Sequence, residues 1–377
     1  MSIRVLVVDD SAIARKVIKD ELSKDPDIQV VGVAGDPFDA SEKIEQHNPD
    51  VMTLDLEMPR MDGITFLRSL MRHHPIPVIV VSAYTTKGSR LAVDALEAGA
   101  VDIVPKPGSG FDVRSMSGEL IAKVKAASQA RLGQGGQKTA PQKTAFSREI
   151  SEIGHQKPTP ASQSTPQRIT RRFAPEDVPV LPRLTHPPTP EQVIVIGSST
   201  GGTQALQYIL TRLPDNMPPI LITQHMPPGF TKAFADRLNT LCQMSVKEGE
   251  NHDKVEIGNA YIAPGGMHMV LNRTGGRYWV GITDGPRVCR QRPSVEVLFQ
   301  SAAKNSHRHT VGVILTGMGN DGAVAMKQMK DAGALNIAED EKSCVVFGMP
   351  KEAIKEGGVD HVLHLHDIPR FLHKMFS

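Results

Sequence analysis

Residues 1–127 alternate between short apolar runs and amphipathic stretches. Each apolar run is typical of a buried strand, and each amphipathic stretch repeats its apolar residues at helical spacing. The pattern predicts strands at 3–8, 29–34, 51–54, 78–81 and 102–104. It predicts a helix after Ser11 and further helices at 38–46, 64–71, 91–97 and 120–127. Regular alternation of strand and helix predicts an α/β domain with a parallel, doubly wound sheet.

Residues 128–190 break this pattern. They hold 10 of the 28 prolines and many Gln, Ser and Thr, with no apolar periodicity outside a short stretch at 146–153. Nine Lys or Arg face four Asp or Glu, so the segment carries a net charge of 9 − 4 = +5. Such a segment cannot bury enough apolar surface to offset the entropy lost on ordering. We therefore expect a flexible linker between two domains.

The strand and helix pattern resumes over residues 191–377. It predicts strands at 193–196, 220–223, 277–283 and 311–315, and helices at 203–210, 230–241 and 323–332, with one more from Pro293. Residues 246–263 are expected to form short antiparallel strands and turns. We predict a second α/β domain with a mostly parallel, doubly wound sheet, and the length of 377 residues suits a chain of two domains.

Polar residues follow the strands of the first domain, at the edge where such sheets bind ligands. Asp9, Asp10 and Asp55 would repel one another unless they shared a cation, and hard oxygen ligands suit Mg²⁺. Asp55 is then a candidate nucleophile toward phosphorus, and Ser82 and Lys106 are placed to contact phosphoryl oxygens. The alternative for any one of these residues is a solvated charge or hydroxyl at a strand end. Finding all of them at one edge favours a site.

Residues 1–127 resemble a response-regulator receiver domain, which has a flavodoxin-like fold. The resemblance lies in the order and spacing of the paired acids, Asp55, Ser82 and Lys106 followed by proline. It implies that Asp55 accepts a phosphoryl group from a sensor histidine kinase, with Mg²⁺ at the acidic cluster. It also implies that Ser82 and Lys106 respond to the phosphorylated state.

The second domain contains Gly-x-Ser-x-Gly at residues 197–201. A strand precedes this sequence and a helix follows, so the Ser199 hydroxyl would stand on a sharp turn near free backbone N–H groups. A phosphate-binding or purely structural glycine turn is the alternative. His225 follows the next strand and Asp321 follows the strand at 311–315, so both are expected at the same sheet edge.

A serine, a histidine and an acid at three strand ends favour a hydrolase. His225 would be the general base, and Asp321 would orient its imidazole. Taken singly, His225 could be a structural histidine and Asp321 a helix cap. The chain order Ser, His, Asp differs from that of α/β-hydrolases, so the serine motif does not assign that fold. A dinucleotide site is disfavoured because it expects an acid where the second strand ends at His225.

Residues 191–377 resemble the catalytic domain of the CheB family of chemotaxis methylesterases. The resemblance rests on the sequences at 197–202, 223–230 and 317–322. It implies that Ser199 is the nucleophile, His225 the base and Asp321 its orienting acid, with the Met318 backbone N–H in the oxyanion hole. The implied reactions are hydrolysis of glutamate γ-methyl esters on methyl-accepting chemoreceptors, which releases methanol, and deamidation of receptor glutamines. No cofactor is implied for this chemistry.

Together the two resemblances imply a hydrolase controlled by phosphorylation. We expect the unphosphorylated receiver domain to block the Ser199 site and phosphorylation of Asp55 to expose it. One alternative is a response regulator whose output domain only binds a kinase, a receptor or DNA, although no helix-turn-helix pattern supports DNA. A nucleotide-dependent oxidoreductase is the third hypothesis.

Composition narrows the partners and the compartment. The formal net charge is +2, from 43 Lys and Arg and 41 Asp and Glu, so no global field favours nucleic acid. No apolar run is long enough to insert into a membrane, and we expect a cytoplasmic monomer. Cys242, Cys289 and Cys344 lie far apart without metal-ligand spacing, which predicts three buried, inert thiols.

Overall fold

The computed structural model describes residues 2–83, 85–106, 113–130, 150 and 180–377. The chain divides into an N-terminal and a C-terminal compact unit. No helix among the described residues is long and apolar enough to cross a membrane. Most of the predicted linker, at 131–149 and 151–179, lies outside the described residues.

The N-terminal unit alternates strands and helices as the sequence predicts. Its strands are β1 (Ile3–Val8), β2 (Ile28–Ala34), β3 (Val51–Leu54), β4 (Val78–Ser82) and β5 (Asp102–Pro105). Its helices are α1 (Ala12–Leu22), α2 (Pro37–His47), α3 (Gly63–His73), α4 (Thr86–Glu97) and α5 (Val113–Ser128). The strands form one parallel sheet in the order β2-β1-β3-β4-β5. Helices α4 and α5 begin earlier than predicted.

Burial in this sheet follows the strand order. Every residue of β3 and β4 is buried, whereas the edge strand β2 is partly exposed. Inner parallel strands are apolar throughout because helices cover both faces of the sheet. Side chains cap the helices that leave the strand ends: the Ser11 hydroxyl accepts the Ala14 N–H, and the Asp62 carboxylate accepts the Thr65 N–H. These caps fix the turns at the edge that carries the predicted polar site.

The C-terminal unit is built on a second parallel sheet. Its strands are β6 (Val193–Ser198), β7 (Ile220–Gln224), β8 (Ser245–Glu248), β9 (Asn259–Ile262), β10 (His268–Thr274), β11 (Arg277–Thr283), β12 (Thr310–Ile314), β13 (Leu335–Glu339) and β14 (His361–Leu363). Its helices are α6 (Gly202–Leu210), α7 (Phe230–Asn239), α8 (Val295–Asn305), α9 (Ala323–Asp331), α10 (Met349–Lys355) and α11 (Ile368–Phe376). The seven-stranded sheet has the order β14-β13-β12-β6-β7-β9-β8, and β10 and β11 form a separate antiparallel pair.

The strand order reverses between β6 and β12. The chain moves from β6 to β7 on one side and later returns to β12 on the other. Such a switch point opens a crevice at the carboxyl ends of the strands, where ligands bind in doubly wound sheets. Close packing beneath this crevice requires Gly197, because a Cβ there would lie 2.2 Å from Val295 Cγ1 in α8.

One expectation for the C-terminal unit is wrong. Strands β8 and β9 pair in parallel, not antiparallel. The connection between β8 and β9 runs alongside β11, where the His252 and Val255 N–H groups donate to the carbonyl groups of Val280 and Tyr278. This path brings the chain back to the end of the sheet at which β8 began, so β9 runs in the same direction as β8. Strand β10 was not predicted, because its last residues are polar and exposed.

The last residues of the predicted linker belong structurally with the C-terminal unit. The Leu181 N–H donates to the Arg212 carbonyl over 2.9 Å, and the Leu184 N–H donates to Asn216 Oδ1 over 3.0 Å. Leu184 is buried. The packed part of this unit therefore includes residues before the predicted boundary at 191.

Candidate active site and phosphoacceptor site

Ser199 and His225 lie side by side because β6 and β7 are paired in register. Ser198 lies opposite Gln224, and the two candidate residues come next in the chain. The His225 N–H donates to the Ser198 carbonyl over 3.1 Å. Both side chains lie at the crevice, with 8% of Ser199 and 6% of His225 exposed. The structure thus brings the predicted nucleophile and base to one edge.

Asp321 joins them from the loop that follows β12. Its Oδ2 lies 2.7 Å from His225 Nε2, and both residues are buried. Since an ionised carboxylate only accepts hydrogen bonds, this contact assigns the proton to Nε2. His225 Nδ1 has no hydrogen-bond partner among the described residues, so it is the nitrogen left to act as a base. No hydrogen bond joins the Ser199 hydroxyl to His225 Nδ1 in the structure, and such bonds are often long in enzymes without substrate and tighten when it binds.

The Asp321 carboxylate also holds the N-terminus of α8. Its Oδ1 accepts the Ser294 hydroxyl at 2.7 Å and the Glu296 N–H at 2.9 Å, and its Oδ2 accepts the Val295 N–H at 2.8 Å. Burial acts to raise the pKa of Asp321, but the hydrogen bonds from His225 and these donors hold that pKa below its usual value. The carboxylate therefore stays ionised and can stabilise a histidine cation. Asp321 therefore caps the N-terminus of α8, whereas the sequence alternative was a cap for α9, the helix that follows Asp321 in the chain.

Gln224 ties the two strand ends together. Its Oε1 accepts the Ser198 hydroxyl at 2.7 Å, and its Nε2 donates to the carbonyl groups of Ser199 and His225 at 3.0 and 3.2 Å. The side chain is buried, so these bonds fix the backbone of the nucleophile against that of the base. Sequence reasoning missed Gln224, although a long polar residue at the end of an apolar strand was a usable signal.

The loop after β12 lies against Ser199. A Cβ on Gly317 would be 2.7 Å from Ser199 Cβ, so this close approach requires glycine. The Thr316 carbonyl accepts the Ser199 N–H at 3.0 Å, and the Thr316 hydroxyl donates to the Thr200 carbonyl at 2.9 Å. Within the described parts of the chain the Met318 N–H bonds to no acceptor, which leaves it available to an oxyanion.

Glu339 supports this loop from beneath. It ends β13, is fully buried, and accepts the Thr316 N–H at its Oε2 over 2.8 Å. Burial raises the pKa of Glu339 to about 7, although the bond from Thr316 opposes the shift. Sequence reasoning missed Glu339, because the strand that it ends, β13, was not predicted.

The polar edge of the N-terminal unit brings its predicted residues together as well. Lys106 Nζ lies 2.9 Å from Asp9 Oδ2 and 2.7 Å from Asp55 Oδ2. One carboxylate oxygen each from Asp9, Asp10 and Asp55 lie within 4.8 Å of one another. Burial raises the pKa of Asp55, Lys106 opposes the shift, and Asp9 adds to it. Three oxygen donors at this spacing fit a Mg²⁺ ion, whose charge would relieve their repulsion.

Ser82 is a neighbour of Lys106 across the β4–β5 pair. The Lys106 N–H donates to the Ser82 carbonyl at 2.8 Å. The Ser82 hydroxyl is buried and donates to the Gly88 carbonyl in the first turn of α4 at 3.2 Å. A group on Asp55 that accepts a hydrogen bond from the Ser82 hydroxyl would therefore compete with the Gly88 carbonyl of α4 for this donor.

The cysteines differ partly from expectation. Cys344 is buried as predicted, but Cys242 is only partly buried and Cys289 is exposed. All three thiols are nevertheless poor nucleophiles. Burial raises the pKa of Cys242 to about 12 and also raises that of Cys344. Desolvation, with the carboxylates of Asp321 and Glu296, raises the pKa of Cys289 to about 11.

Comparison with known proteins identifies the family. Residues 194–372 match the family model "CheB methylesterase", and residues 5–116 match "Response regulator receiver domain". Protein-glutamate methylesterase/protein-glutamine glutaminase 2 of Syntrophus aciditrophicus is 50% identical over 366 residues, which cover 97% of this chain and 97% of that protein. The chain belongs to the CheB methylesterase family.

Other similarities of this CheB-family chain are of the same kind. Protein-glutamate methylesterase/protein-glutamine glutaminase of Pectobacterium atrosepticum is 48% identical over 368 residues, which cover 97% of this chain and 95% of that protein. The crystal structure of the Thermotoga maritima CheB methylesterase catalytic domain is 43% identical, covers 49% of this chain and 98% of that chain, and has a TM-score of 0.48. The predicted fold class, a receiver domain followed by an α/β catalytic domain with a mostly parallel sheet, is confirmed.

Proposed function

We propose that this chain is a phosphorylation-regulated hydrolase that removes methyl esters from glutamates of chemoreceptors and deamidates receptor glutamines. The observation that carries the proposal is the buried His225–Asp321 pair beside Ser199, which leaves His225 Nδ1 as a base. The names of the relatives support the substrate class, because both describe action on glutamate methyl esters and on glutamines.

In the first half of the proposed reaction, Ser199 Oγ attacks the γ-carbonyl carbon of the ester. His225 Nδ1 takes the hydroxyl proton, and the Asp321 carboxylate stabilises the cation that forms. The Met318 N–H donates to the oxyanion of the tetrahedral intermediate. Collapse breaks the bond to the methoxy oxygen, which leaves as methanol after His225 returns the proton. The product is a glutamyl ester of Ser199.

In the second half, water attacks this acyl-enzyme. His225 takes a proton from the water and returns it to Ser199 Oγ as the acyl–oxygen bond breaks. A glutamate carboxylate is released and the enzyme is restored. A glutamine substrate follows the same course with ammonia as the first leaving group. All catalytic groups in this reaction are side chains or backbone groups of the chain, so the proposed hydrolysis uses no cofactor.

The receiver domain supplies the proposed regulation. An Asp55 carboxylate oxygen attacks phosphorus and accepts a phosphoryl group from a sensor histidine kinase. A Mg²⁺ ion held by Asp9, Asp10 and Asp55 would neutralise charge on the phosphoryl oxygens. Lys106 binds one of these oxygens, and the Ser82 hydroxyl leaves the Gly88 carbonyl to donate to another. Loss of that bond changes the start of α4, and we expect the change to open access to Ser199.

A cytoplasmic location is part of the proposal. The three cysteines are free thiols, which fits a reducing compartment. The segment at 128–190 would then tether the two domains of a monomer.

The test is release of methanol from chemoreceptors that carry labelled methyl esters. The full chain should release methanol, and a small-molecule phosphodonor should raise the rate. Asp55→Asn removes the phosphoacceptor while keeping a side chain of the same shape, so its basal rate should remain and its response to phosphodonor should vanish. An Asp55→Asn protein that still responds fully would contradict the regulatory part, and absence of release from any methylated receptor would contradict the whole.

A further inference from the structure

A cationic loop lies next to the candidate active site. Residues 284–292, here called the arginine hairpin, contain Arg287, Arg290 and Arg292 against a single acid, Asp284. Their net charge is 3 − 1 = +2, which is as large as that of the whole chain. Backbone bonds in both directions between Val288 and Gln291, at 3.1 and 2.9 Å, close the hairpin. This short loop therefore carries a local excess of positive charge.

Contacts join the hairpin to the active-site residues. His268 is buried between them: its Nε2 donates to the Pro286 carbonyl at 2.9 Å, and its Nδ1 accepts the Ser294 N–H at 3.2 Å. Ser294 in turn donates to Asp321 at 2.7 Å. The hairpin is thus held at the side of the site where Asp321 contacts His225.

The tip of the hairpin is held in an unfavourable backbone conformation. Cys289 and Arg290 have φ angles of +49° and +66°, a region that residues with a side chain rarely adopt. Arg287 Nη1 donates to the Arg290 carbonyl at 3.3 Å and braces this turn. Strain of this kind persists where surrounding contacts hold it, and it is concentrated at functional sites.

Two of the three arginines have no acidic partner in the part of the chain that the structure describes. Arg292 pairs with Asp284, whereas Arg287 and Arg290 are exposed and form no ion pair with any carboxylate among the described residues. Their guanidinium groups are suited to carboxylates, which they can bind with two parallel hydrogen bonds. Each turnover of the proposed function creates a new glutamate carboxylate on the substrate, so the substrate surface becomes increasingly acidic.

We propose that Arg287 and Arg290 form a substrate-recognition site for acidic peptide segments, binding glutamate carboxylates that neighbour the esterified residue. This inference rests on the proposed function and adds a preference to it: an ester flanked by glutamates is a better substrate than one flanked by neutral residues. The arginines contact the substrate away from the reacting atoms. Their effect therefore falls on KM and weakens as salt screens the charges.

The test uses the full-length chain and two synthetic peptides that carry one glutamate γ-methyl ester, flanked either by glutamates or by glutamines. Wild type should favour the acidic peptide by about tenfold in kcat/KM at low salt, since exposed ion pairs contribute modestly. Arg287→Gln/Arg290→Gln should lose this preference through KM with kcat unchanged. Arg287→Lys/Arg290→Lys should retain most of it, because the charge remains. Binding of both peptides to each variant in a Ser199→Ala background provides a readout that needs no catalysis.

The matched control is Arg277→Gln/Arg308→Gln. Arg277 is the first residue of β11, whereas the arginine hairpin follows the last residue of that strand, Thr283. Arg308 precedes β12, at the edge of the sheet where the parallel strands begin. This pair removes the same charge far from the site and should leave the preference intact. Equal loss in this control, or a Gln pair at 287 and 290 that keeps the preference, overturns the inference. If wild type binds the acidic peptide through these arginines but hydrolyses neither peptide, the inference stands and the proposed function fails.

Discussion

The substitution Asp321→Asn tests two roles of this carboxylate, its contact with His225 and its contacts with the start of α8. The carboxylate accepts four hydrogen bonds, one from His225 and three from the start of α8. An amide offers one acceptor oxygen. Whichever way it is placed, its NH₂ group faces a buried backbone N–H, that of Val295 or Glu296. An unsatisfied buried N–H costs about 1–3 kcal/mol, so the free energy of unfolding should fall by about 2 kcal/mol.

The effect on turnover should be much larger. If the NH₂ group faces His225, Nε2 must become an acceptor, and Nδ1 then carries the proton and cannot take one from Ser199. If the oxygen faces His225, the negative charge that stabilises the histidine cation is still lost. Replacement of the acid in a serine protease triad by its amide lowers kcat by about 10⁴-fold, and we expect a similar loss here.

The assays are methanol release and urea unfolding followed by the fluorescence of Trp279, the only tryptophan of the chain, which reports on the C-terminal unit. Ser294→Ala is the matched control. It removes one hydrogen bond to Asp321 Oδ1, at a cost of about 1.5 kcal/mol, and leaves the His225 contact in place. It should lower turnover less than about tenfold. Comparable activity of Asp321→Asn and Ser294→Ala would refute the assignment of Asp321 to the active site and leave it a helix cap.

Two further predictions concern the other buried charges. Glu339→Gln should stabilise the C-terminal unit at pH 8 by up to about 3 kcal/mol relative to wild type and have little effect at pH 4.5. The raised pKa of Glu339 makes the wild-type folded state less stable as pH rises from 4.5 to about 7, because the carboxyl group ionises more readily in the unfolded chain, whereas glutamine does not ionise and still accepts the Thr316 N–H. Equal pH dependence of unfolding in both proteins, followed by Trp279 fluorescence, would contradict this prediction. Chelation of divalent cations should abolish phosphorylation of Asp55 by a small-molecule phosphodonor, measured by intact mass. Basal methanol release should continue, because the proposed hydrolysis uses only side chains, a backbone N–H group and water.

Much of this fold was predictable because its signals are local. Alternating apolar runs and amphipathic stretches identified the strands on which Ser199 and His225 depend, and parallel strands place their carboxyl ends at one edge. The acidic cluster, Ser82 and Lys106 followed the same rule. Their positions therefore required only the order of strands along the chain.

The remaining features depend on contacts between distant segments. Nothing local to Asp321 indicates that it caps α8, since the helix that follows it in sequence is the expected partner. Gln224 acts through bonds to two different strands. Glu339 is defined by burial beneath Thr316, which only the strand order β13-β12-β6 creates. The parallel pairing of β8 and β9 depends on how their connection follows β11.

The central claim is that Ser199 attacks the glutamate ester, and a comparison of neighbouring serines tests it most directly. Ser198 is fully buried and its hydroxyl donates to Gln224 Oε1, whereas Ser199 lies at the crevice with 8% of its surface exposed. In methanol release from labelled chemoreceptors, Ser199→Ala should lower turnover by at least about 10³-fold, and Ser198→Ala by no more than about tenfold. Near-normal methanol release by Ser199→Ala, with Ser198→Ala equally active, would contradict the account.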